Sequence, residues 1–150
     1  MLQKRRTIAS IPDGLNATTE KIRKGSAVCR KFNSKTKKFE LSLPTTADEA
    51  KAVYGFITLR IDEDTHKESY YDDIDAGVKG VVYTLVPNEE WGTTEFDGTI
   101  AVGDKLVVSF DSGTKGKLVA AGSNTPQFEC VRTTPALGGY EEPMIDVKVL

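Results

Sequence analysis

The fold is indicated most clearly by residues 25–43, GSAVCRKFNSKTKKFELSL, which contain two β-strand patterns on either side of a polar turn. The first part, Gly25–Phe32, begins with small and apolar residues, a pattern that favours a strand. Asn33–Lys38 is polar and predicts a hairpin loop. Phe39–Leu43 alternates apolar and polar residues, as expected for a returning strand with one face on a core. These residues therefore predict a β-hairpin.

A short helix is predicted directly after this hairpin. Pro44 and Thr45 lead into Thr46, which can cap a helix, and Glu49 stands three residues later, as in a capping box. The segment Ala47–Tyr54 favours a helix of about two turns. A helix this short is not stable alone, so we expect it to pack on a sheet.

Most of the remaining sequence predicts short strands. Their patterns fall at residues 56–61, 81–86, 105–110, 117–119, 128–132 and 144–150. Two long connections interrupt them, an acidic loop at Asp62–Asp75 and a second loop at Pro87–Gly98, which contains Trp91. Many short strands joined by glycine-containing turns are typical of a small β barrel or sandwich. We therefore predict a mainly β fold, a small barrel or sandwich with one short helix.

Charge is distributed unevenly along the chain. Residues 1–38 contain eleven lysines and arginines but two acidic residues, whereas residues 39–150 contain nine basic and twenty acidic residues. The first twenty residues also lack apolar periodicity, so their removal is expected to cost the core little. We predict an extended basic N-terminal arm at 1–24 and a β domain at 25–150. The charge pattern suits contacts with charged protein surfaces, with a merely solvated arm as the alternative.

The sequence lacks the residue patterns of a catalytic centre. Cys29 and Cys130 are expected to be unpaired, half-buried thiols, because two cysteines are too few for a disulfide framework. The single histidine, His66, lies in a polar loop without a neighbouring nucleophile, and we predict that it is a surface residue. We therefore predict a protein that is not an enzyme and that uses no cofactor.

An acidic stretch that could hold calcium departs from the calcium-loop pattern. If Asp72 is its first position, Gly77 falls correctly at the sixth, but Ile74 occupies the third and Tyr83 the twelfth, where carboxylates are needed. We predict that the loop at 62–75 faces solvent and binds no structural metal.

Aromatic residues leave a carbohydrate-binding β module as an alternative, with Trp91, Tyr70 and Tyr71 as sugar platforms. The neighbours of these residues are acidic and would repel phosphate, so we predict no specific nucleic-acid partner. No apolar run approaches the roughly 18 residues of a membrane span, and no membrane partner is predicted.

Several segments occur in a recognisable order along nearly the whole chain. They are a turn at Ile11–Leu15, Leu43–Ala47 running to Tyr54–Phe56, a Gly-Asp turn and strand at Ala101–Val108, Gly116–Val119, and a terminal Val/Leu strand. This order resembles the cement, or capsid-decoration, proteins of tailed double-stranded DNA phages.

The resemblance implies a virion protein made in the host cytoplasm and located on the capsid exterior. It implies a homotrimer that bridges subunits of the major capsid protein. An arm of twenty extended residues reaches roughly 65 Å, enough to cross a neighbouring subunit. The candidate capsid-binding residues lie on this arm: Lys4, Arg5, Arg6, Ile8, Ile11, Pro12 and Leu15. Another virion component, a head–tail joining or tail-tube protein, remains an alternative.

Overall fold

The computed structural model describes residues 1–8, 12–13, 16–58, 73–136 and 142–150, with the backbone alone at 12–13. The described part of the chain is mainly β, as the sequence predicts. Its elements are β1 (Leu2–Arg6), β2 (Pro12–Asp13), β3 (Ala17–Thr18), β4 (Ile22–Arg23), β5 (Ala27–Asn33), β6 (Lys38–Ser42), α1 (Ala47–Lys51), β7 (Gly55–Thr58), β8 (Asp73–Ile74), β9 (Val81–Thr84), β10 (Glu90–Thr93), β11 (Lys105–Val108), β12 (Leu118–Ala120), β13 (Phe128–Thr134) and β14 (Met144–Val149).

The described strands form two six-stranded sheets and one two-stranded sheet. The first sheet has the order β1-β10-β14-β13-β11-β12, and its neighbouring strands are antiparallel. The second sheet has the order β2-β9-β7-β5-β6-β3, antiparallel except for the parallel pair β3 and β6. The short strands β4 and β8 pair separately.

Both sheets curl, so that distant strands of each sheet approach one another. In the first sheet, a parallel bridge joins Phe96, which follows β10, to Leu118 in β12. In the second sheet, an antiparallel bridge joins Ala17 in β3 to Lys79, which precedes β9. The right-handed twist of strands makes such curling favourable in short sheets.

The second sheet lies between two groups of buried apolar side chains. Successive residues of a strand face opposite sides, and neighbouring residues of β5 and β7 accordingly enter different groups. Ala27 and Phe56 belong to a larger core with Trp91 and Phe128, where the rings of Phe56 and Phe128 are 5.6 Å apart. The smaller core lies on the other face and consists of Ile22, Val28, Leu41, Ile57, Ile74 and Val82. Complete burial of each such side chain contributes about 1.5–3 kcal/mol.

The helix forms where the sequence predicts it but is shorter. The Thr46 hydroxyl accepts a hydrogen bond from the Glu49 backbone N–H (3.2 Å), which confirms the predicted cap. The Glu49 carboxylate accepts from the backbone N–H and the hydroxyl of Thr45 (2.7 and 2.8 Å). The helix ends at Lys51 because the Tyr54 N–H already donates to the Val28 carbonyl (2.7 Å), where the chain joins the sheet.

The N-terminal segment differs from the predicted extended arm. Strand β1 pairs with β10, and Met1 is only 1% exposed. The Met1 amino group donates hydrogen bonds to the Thr94 hydroxyl (2.6 Å) and the Lys24 carbonyl (2.9 Å). Burial lowers the pKa of this amine to about 6. Strands β2, β3 and β4 also pair with strands from later in the chain, so the described part of residues 1–24 belongs to the folded body.

The predicted loop at Pro87–Gly98 contains a strand. Residues 90–93 form β10, which lies between β1 and β14. Trp91 is completely buried there, and its ring centroid is 5.1 Å from that of Tyr83. The sequence signal for this strand is weak for two reasons. Acidic residues precede Trp91, and the buried positions of the strand are a tryptophan, a glycine and a threonine, which do not form an apolar alternation.

Of the predicted acidic loop at 62–75, the structure describes residues 73–75. Asp73 and Ile74 form β8, and Ile74 is buried in the smaller core, so this end of the loop is part of the fold. Asp73 pairs with Lys21 (2.9 Å). The rest of the predicted loop, including His66, Tyr70 and Tyr71, lies outside the described residues.

Candidate functional site

The hairpin formed by β5 and β6 extends beyond the smaller core. Val28 and Leu41 lie inside that core, and the next residues on the same face of the two strands are Arg30, Phe32 and Phe39. Phe32 is 56% exposed and Phe39 is 46% exposed, although they are direct cross-strand partners. The core-facing side of the sheet therefore continues into solvent.

Aromatic rings and a guanidinium pack together on this exposed face. The rings of Phe32 and Phe39 meet edge to face, with centroids 5.3 Å apart. The Arg30 guanidinium lies 4.7 Å from the Phe39 ring centroid and 4.4 Å from that of Tyr54. Arg30 also donates a hydrogen bond to the Tyr54 hydroxyl (3.0 Å). We call Arg30, Phe32, Phe39 and Tyr54 the hairpin surface.

The opposite face of the hairpin is polar. Lys31 forms an ion pair with Glu49 of the helix (2.7 Å), and Asn33 donates a hydrogen bond to Glu40 (2.9 Å). The hydrogen bond from Lys31, and those from Thr45, lower the pKa of Glu49 to about 2. Lys31, Asn33 and Glu40 on this face have partners within the chain, whereas Phe32 and Phe39 on the hairpin surface are exposed to solvent.

Positive charge surrounds the end of the hairpin. Lys35, Lys37 and Lys38 are exposed, and none of them forms an ion pair with an acidic residue in the described part of the chain. Lys37 has φ of 56° in the turn, a conformation that an L-residue adopts at some cost. The result is an exposed aromatic face with three lysines at the turn end of the hairpin.

The basic residues predicted to bind a capsid from the arm lie on β1. The Lys4 ammonium is 4.1 Å from the Tyr83 ring centroid. The Arg5 Nε donates to an Asp146 oxygen (3.0 Å), and the other oxygen of Asp146 accepts from Arg132 Nε (2.6 Å). Two of the three predicted cations therefore have partners inside the fold, while Arg6 is exposed.

The apolar residues predicted for the same site are dispersed. Ile8 is 59% exposed, and its backbone N–H donates to the buried Glu89 (2.6 Å). The backbone of Pro12 pairs with Tyr83, the residue whose ring Lys4 covers. Ile11 and Leu15 lie outside the described residues. The structure thus brings Lys4 and Pro12 to the same residue, Tyr83, but the described members of the predicted set form no exposed apolar cluster.

A small cavity lies beside Arg5. Its volume is about 100 Å³, and it is lined by Gln3, Arg5, Thr134, Glu142 and Met144. Pockets for small molecules usually have volumes of roughly 300–1,000 Å³. This cavity is therefore a poor candidate for binding an organic ligand.

The two thiols have environments that disfavour nucleophilic chemistry. Cys29 and Cys130 are free and buried, which confirms the prediction that they are not paired. Burial raises the pKa of each thiol, so the reactive thiolate is disfavoured. Within the described residues, no three side chains of the metal-binding types lie close enough to hold an ion. Nor does any described helix have the length and apolar character needed to cross a membrane.

The sequence predicts the hairpin but not the exposed surface on it. The aromatic platforms predicted from the sequence are Trp91, Tyr70 and Tyr71, and the burial of Trp91 removes the first of these as a sugar platform. The signal was the symmetry of the segment: Phe32 and Phe39 flank a basic turn and must face each other across the strands.

No protein-family model, curated protein or solved structure matches this chain. A binding role is therefore inferred from the geometry of the hairpin surface.

Proposed function

We propose that this protein is a non-enzymatic structural component of a tailed-phage virion. In this role it binds the outer surface of the capsid as a homotrimer and bridges subunits of the major capsid protein. The order of sequence segments described above supports this assignment. The bridges at Phe96 and Ala17, which draw together strands of each curled sheet, support small barrels as its finer architecture.

One observation carries the proposal of a binding role. The hairpin surface presents two half-exposed phenylalanines beside an arginine that is held between aromatic rings. Aromatic residues and arginine are enriched where proteins bind one another. About half of each phenylalanine side chain remains exposed to solvent, and its burial against a partner is favourable.

Binding to a lattice also suits a surface of this size. The exposed part of the hairpin is small, so a single contact is expected to be weak. Repetition over a symmetric particle, or linkage within a trimer, raises the overall affinity without further contacts.

The experiment is a co-sedimentation assay with capsids that lack this chain, prepared from the phage that encodes it. We expect saturable binding with a fixed ratio of copies to major capsid protein. We also expect the capsid to melt at a higher temperature when the protein is bound, because binding to the intact form stabilises it. A chain that remains in the supernatant at tens of micromolar, with an unchanged capsid melt, would overturn the proposal.

A further inference from the structure

The hairpin surface is a sheet face that continues a core, and no layer of the described residues covers Phe32 and Phe39. Val28 and Leu41 are completely buried on this face, and the next side chains along it are exposed. Elsewhere in the second sheet, β5 and β7 place side chains in a core on each face. A face that changes from buried to exposed within one pair of strands is where a partner can extend the core.

The chemistry of this surface selects an acidic partner. Residues 30–40 contain Arg30 and four lysines, of which Lys31 is paired with Glu49 on the opposite face. The other three, Lys35, Lys37 and Lys38, form no ion pair with a described acidic residue. The one acidic residue of this segment is Glu40. Glu40 is already bound by Asn33 and by the Thr36 hydroxyl (3.1 Å). A complementary surface would place carboxylates beside an apolar depression, so that the phenylalanines fill the depression and the lysines of the turn meet the carboxylates.

The arrangement of the rings favours a protein over a nucleic acid. Bases bind single-strand-binding proteins by stacking on open aromatic faces. Here Arg30 already lies over the ring of Phe39, and Phe32 meets that ring edge to face.

The surface is organised before binding. Arg30 contacts two rings and donates a hydrogen bond to the Tyr54 hydroxyl. On the reverse side, the ion pair between Lys31 and Glu49 connects the hairpin to the helix. Side chains that are already ordered lose little entropy when a partner binds, which lowers the entropic cost of each contact.

We infer that the hairpin surface, rather than β1, is the contact through which this protein binds an acidic protein surface. The inference rests on the proposed function, and it identifies that partner surface as the exterior of the major capsid protein lattice. Burial of Phe32 and Phe39 provides the affinity, and the lysines of the turn provide orientation and a salt-dependent association rate.

The test compares variants in the co-sedimentation assay with capsids that lack this chain. Phe32→Ser and Phe39→Ser should each weaken binding about 30-fold, the size expected for a hot-spot residue. Val102→Ser is the matched control, because Val102 is 64% exposed in the turn before β11 of the other sheet. It should bind like the wild type. Thermal melts monitored by circular dichroism must show that all three variants remain folded.

The lysines are tested by the triple variant Lys35→Gln, Lys37→Gln and Lys38→Gln. It should bind about tenfold more weakly at low salt and show a smaller loss of affinity when salt is raised. If the wild type binds capsids and the phenylalanine variants bind equally well, the hairpin inference is wrong while the proposed function stands. If the wild type itself does not bind, the proposed function fails and the inference fails with it.

Two further measurements exclude other occupants of the surface. Sedimentation velocity of the wild type and Phe32→Ser should give the same oligomeric state. A change would assign the surface to contacts between copies of this chain and overturn the inference. Fluorescence anisotropy with a labelled 20-nucleotide oligo(dT) should show no binding that depends on Phe32. Binding that the Phe32→Ser substitution abolishes would assign the surface to nucleic acid instead.

Discussion

Two basic regions of this chain use their charge in different ways. In β1, Arg5 pairs with Asp146, and Lys4 lies over the ring of Tyr83. At the end of the β5–β6 hairpin, three lysines are exposed and have no acidic partner among the described residues. The same composition therefore stabilises the fold in one region and leaves a surface available for binding in the other.

The difference shows that a basic sequence segment has no fixed role. What matters is whether the fold brings a carboxylate close to each cation. Arg5 meets Asp146, a residue 141 positions away in sequence, because β10 lies between β1 and β14 and positions both side chains. The lysines at the end of the hairpin have no carboxylate partner among the described residues, because Glu40 is bound by Asn33 and Glu49 by Lys31.

The largest expected effect comes from removing residues 2–6, so that Met1 directly precedes Thr7. This deletion removes β1 and takes Met1 away from its buried position. We expect unfolding to become easier by about 5 kcal/mol or more, from one buried methionine, a half-buried leucine and several lost hydrogen bonds. Chemical denaturation of the shortened and full chains measures the difference.

The double variant Lys4→Gln and Arg6→Gln is the control for this deletion. It removes two positive charges from β1 but keeps the strand, and its stability should change by less than about 1 kcal/mol. If the deletion has as little effect as this control, then β1 is an independent arm and the contrast between the two regions disappears.

A somewhat smaller effect is expected from the two arginines that share Asp146. The Asp146 side chain is 3% exposed, so its carboxylate depends on its partners. Arg5→Met or Arg132→Met alone leaves one cation in place and should cost about 1 kcal/mol. The double variant leaves a buried carboxylate without a cation and should cost about 3–5 kcal/mol.

A double-mutant cycle measured by urea unfolding tests this coupling. Single costs that simply add would show that the arginines do not share the work of compensating Asp146. If Arg5→Met changed the free energy of unfolding neither in the wild type nor in the Arg132→Met variant, the charge of Arg5 in β1 would not stabilise the fold.

Local patterns in the sequence predicted much of the central and C-terminal fold. The hairpin, the helix cap at Thr46 and the terminal strand at 144–149 follow from apolar alternation and from hydrogen-bonding side chains within a few residues. The missed strands β1 and β10 lack such patterns. Strand β1 is mostly polar because it lies at an edge, and β10 contains Gly92 where a Cβ would approach Asp146 to 2.7 Å.

The candidate site was only partly predictable for a different reason. Cross-strand pairing of Phe32 and Phe39 follows from the hairpin alone, but their exposure does not. Their strands continue the face of Val28 and Leu41, which is buried, so alternation would place them in the core. In the smaller core, Val28 and Leu41 are packed with Ile22 of β4 and Ile74 of β8, and those two-residue strands have no sequence signal of their own.

A moderate effect is expected at the helix that supports the hairpin. Thr46→Ala removes the cap of α1 and should lower the free energy of unfolding by about 1 kcal/mol, as measured by chemical denaturation.

The charge of Glu49 makes the stability depend on pH. Lys31 and Thr45 hold the pKa of Glu49 at about 2, below its ordinary value of 4.5, so ionised Glu49 contributes stability above about pH 4.5. That contribution is lost as pH falls from about 4.5 towards 2.

Thermal melts of the wild type and Glu49→Gln between pH 6 and pH 2 measure this pH dependence. The stability difference between the two proteins should narrow on acidification, because the wild type alone loses the ionised carboxylate. A constant difference across this range would show that Glu49 does not stabilise the hairpin through its charge. Phe32→Ser in the same assay keeps Glu49 and should retain the wild-type dependence on pH.

The smallest expected effect on stability belongs to the lysines at the end of the hairpin. They are exposed and form no ion pair within the described chain, so neutralising them removes no favourable contact. The triple variant Lys35→Gln, Lys37→Gln and Lys38→Gln should therefore unfold within about 0.5 kcal/mol of the wild type. The substitutions also relieve repulsion among neighbouring lysines, so we expect a slight gain in stability at low salt.

This gain should vanish at 1 M salt, where charges are screened beyond about 3 Å. Chemical denaturation at low salt and at 1 M salt measures the difference. A loss of several kcal/mol would mean that these lysines are bound inside the fold as Arg5 is, and the contrast between the two basic regions would be wrong.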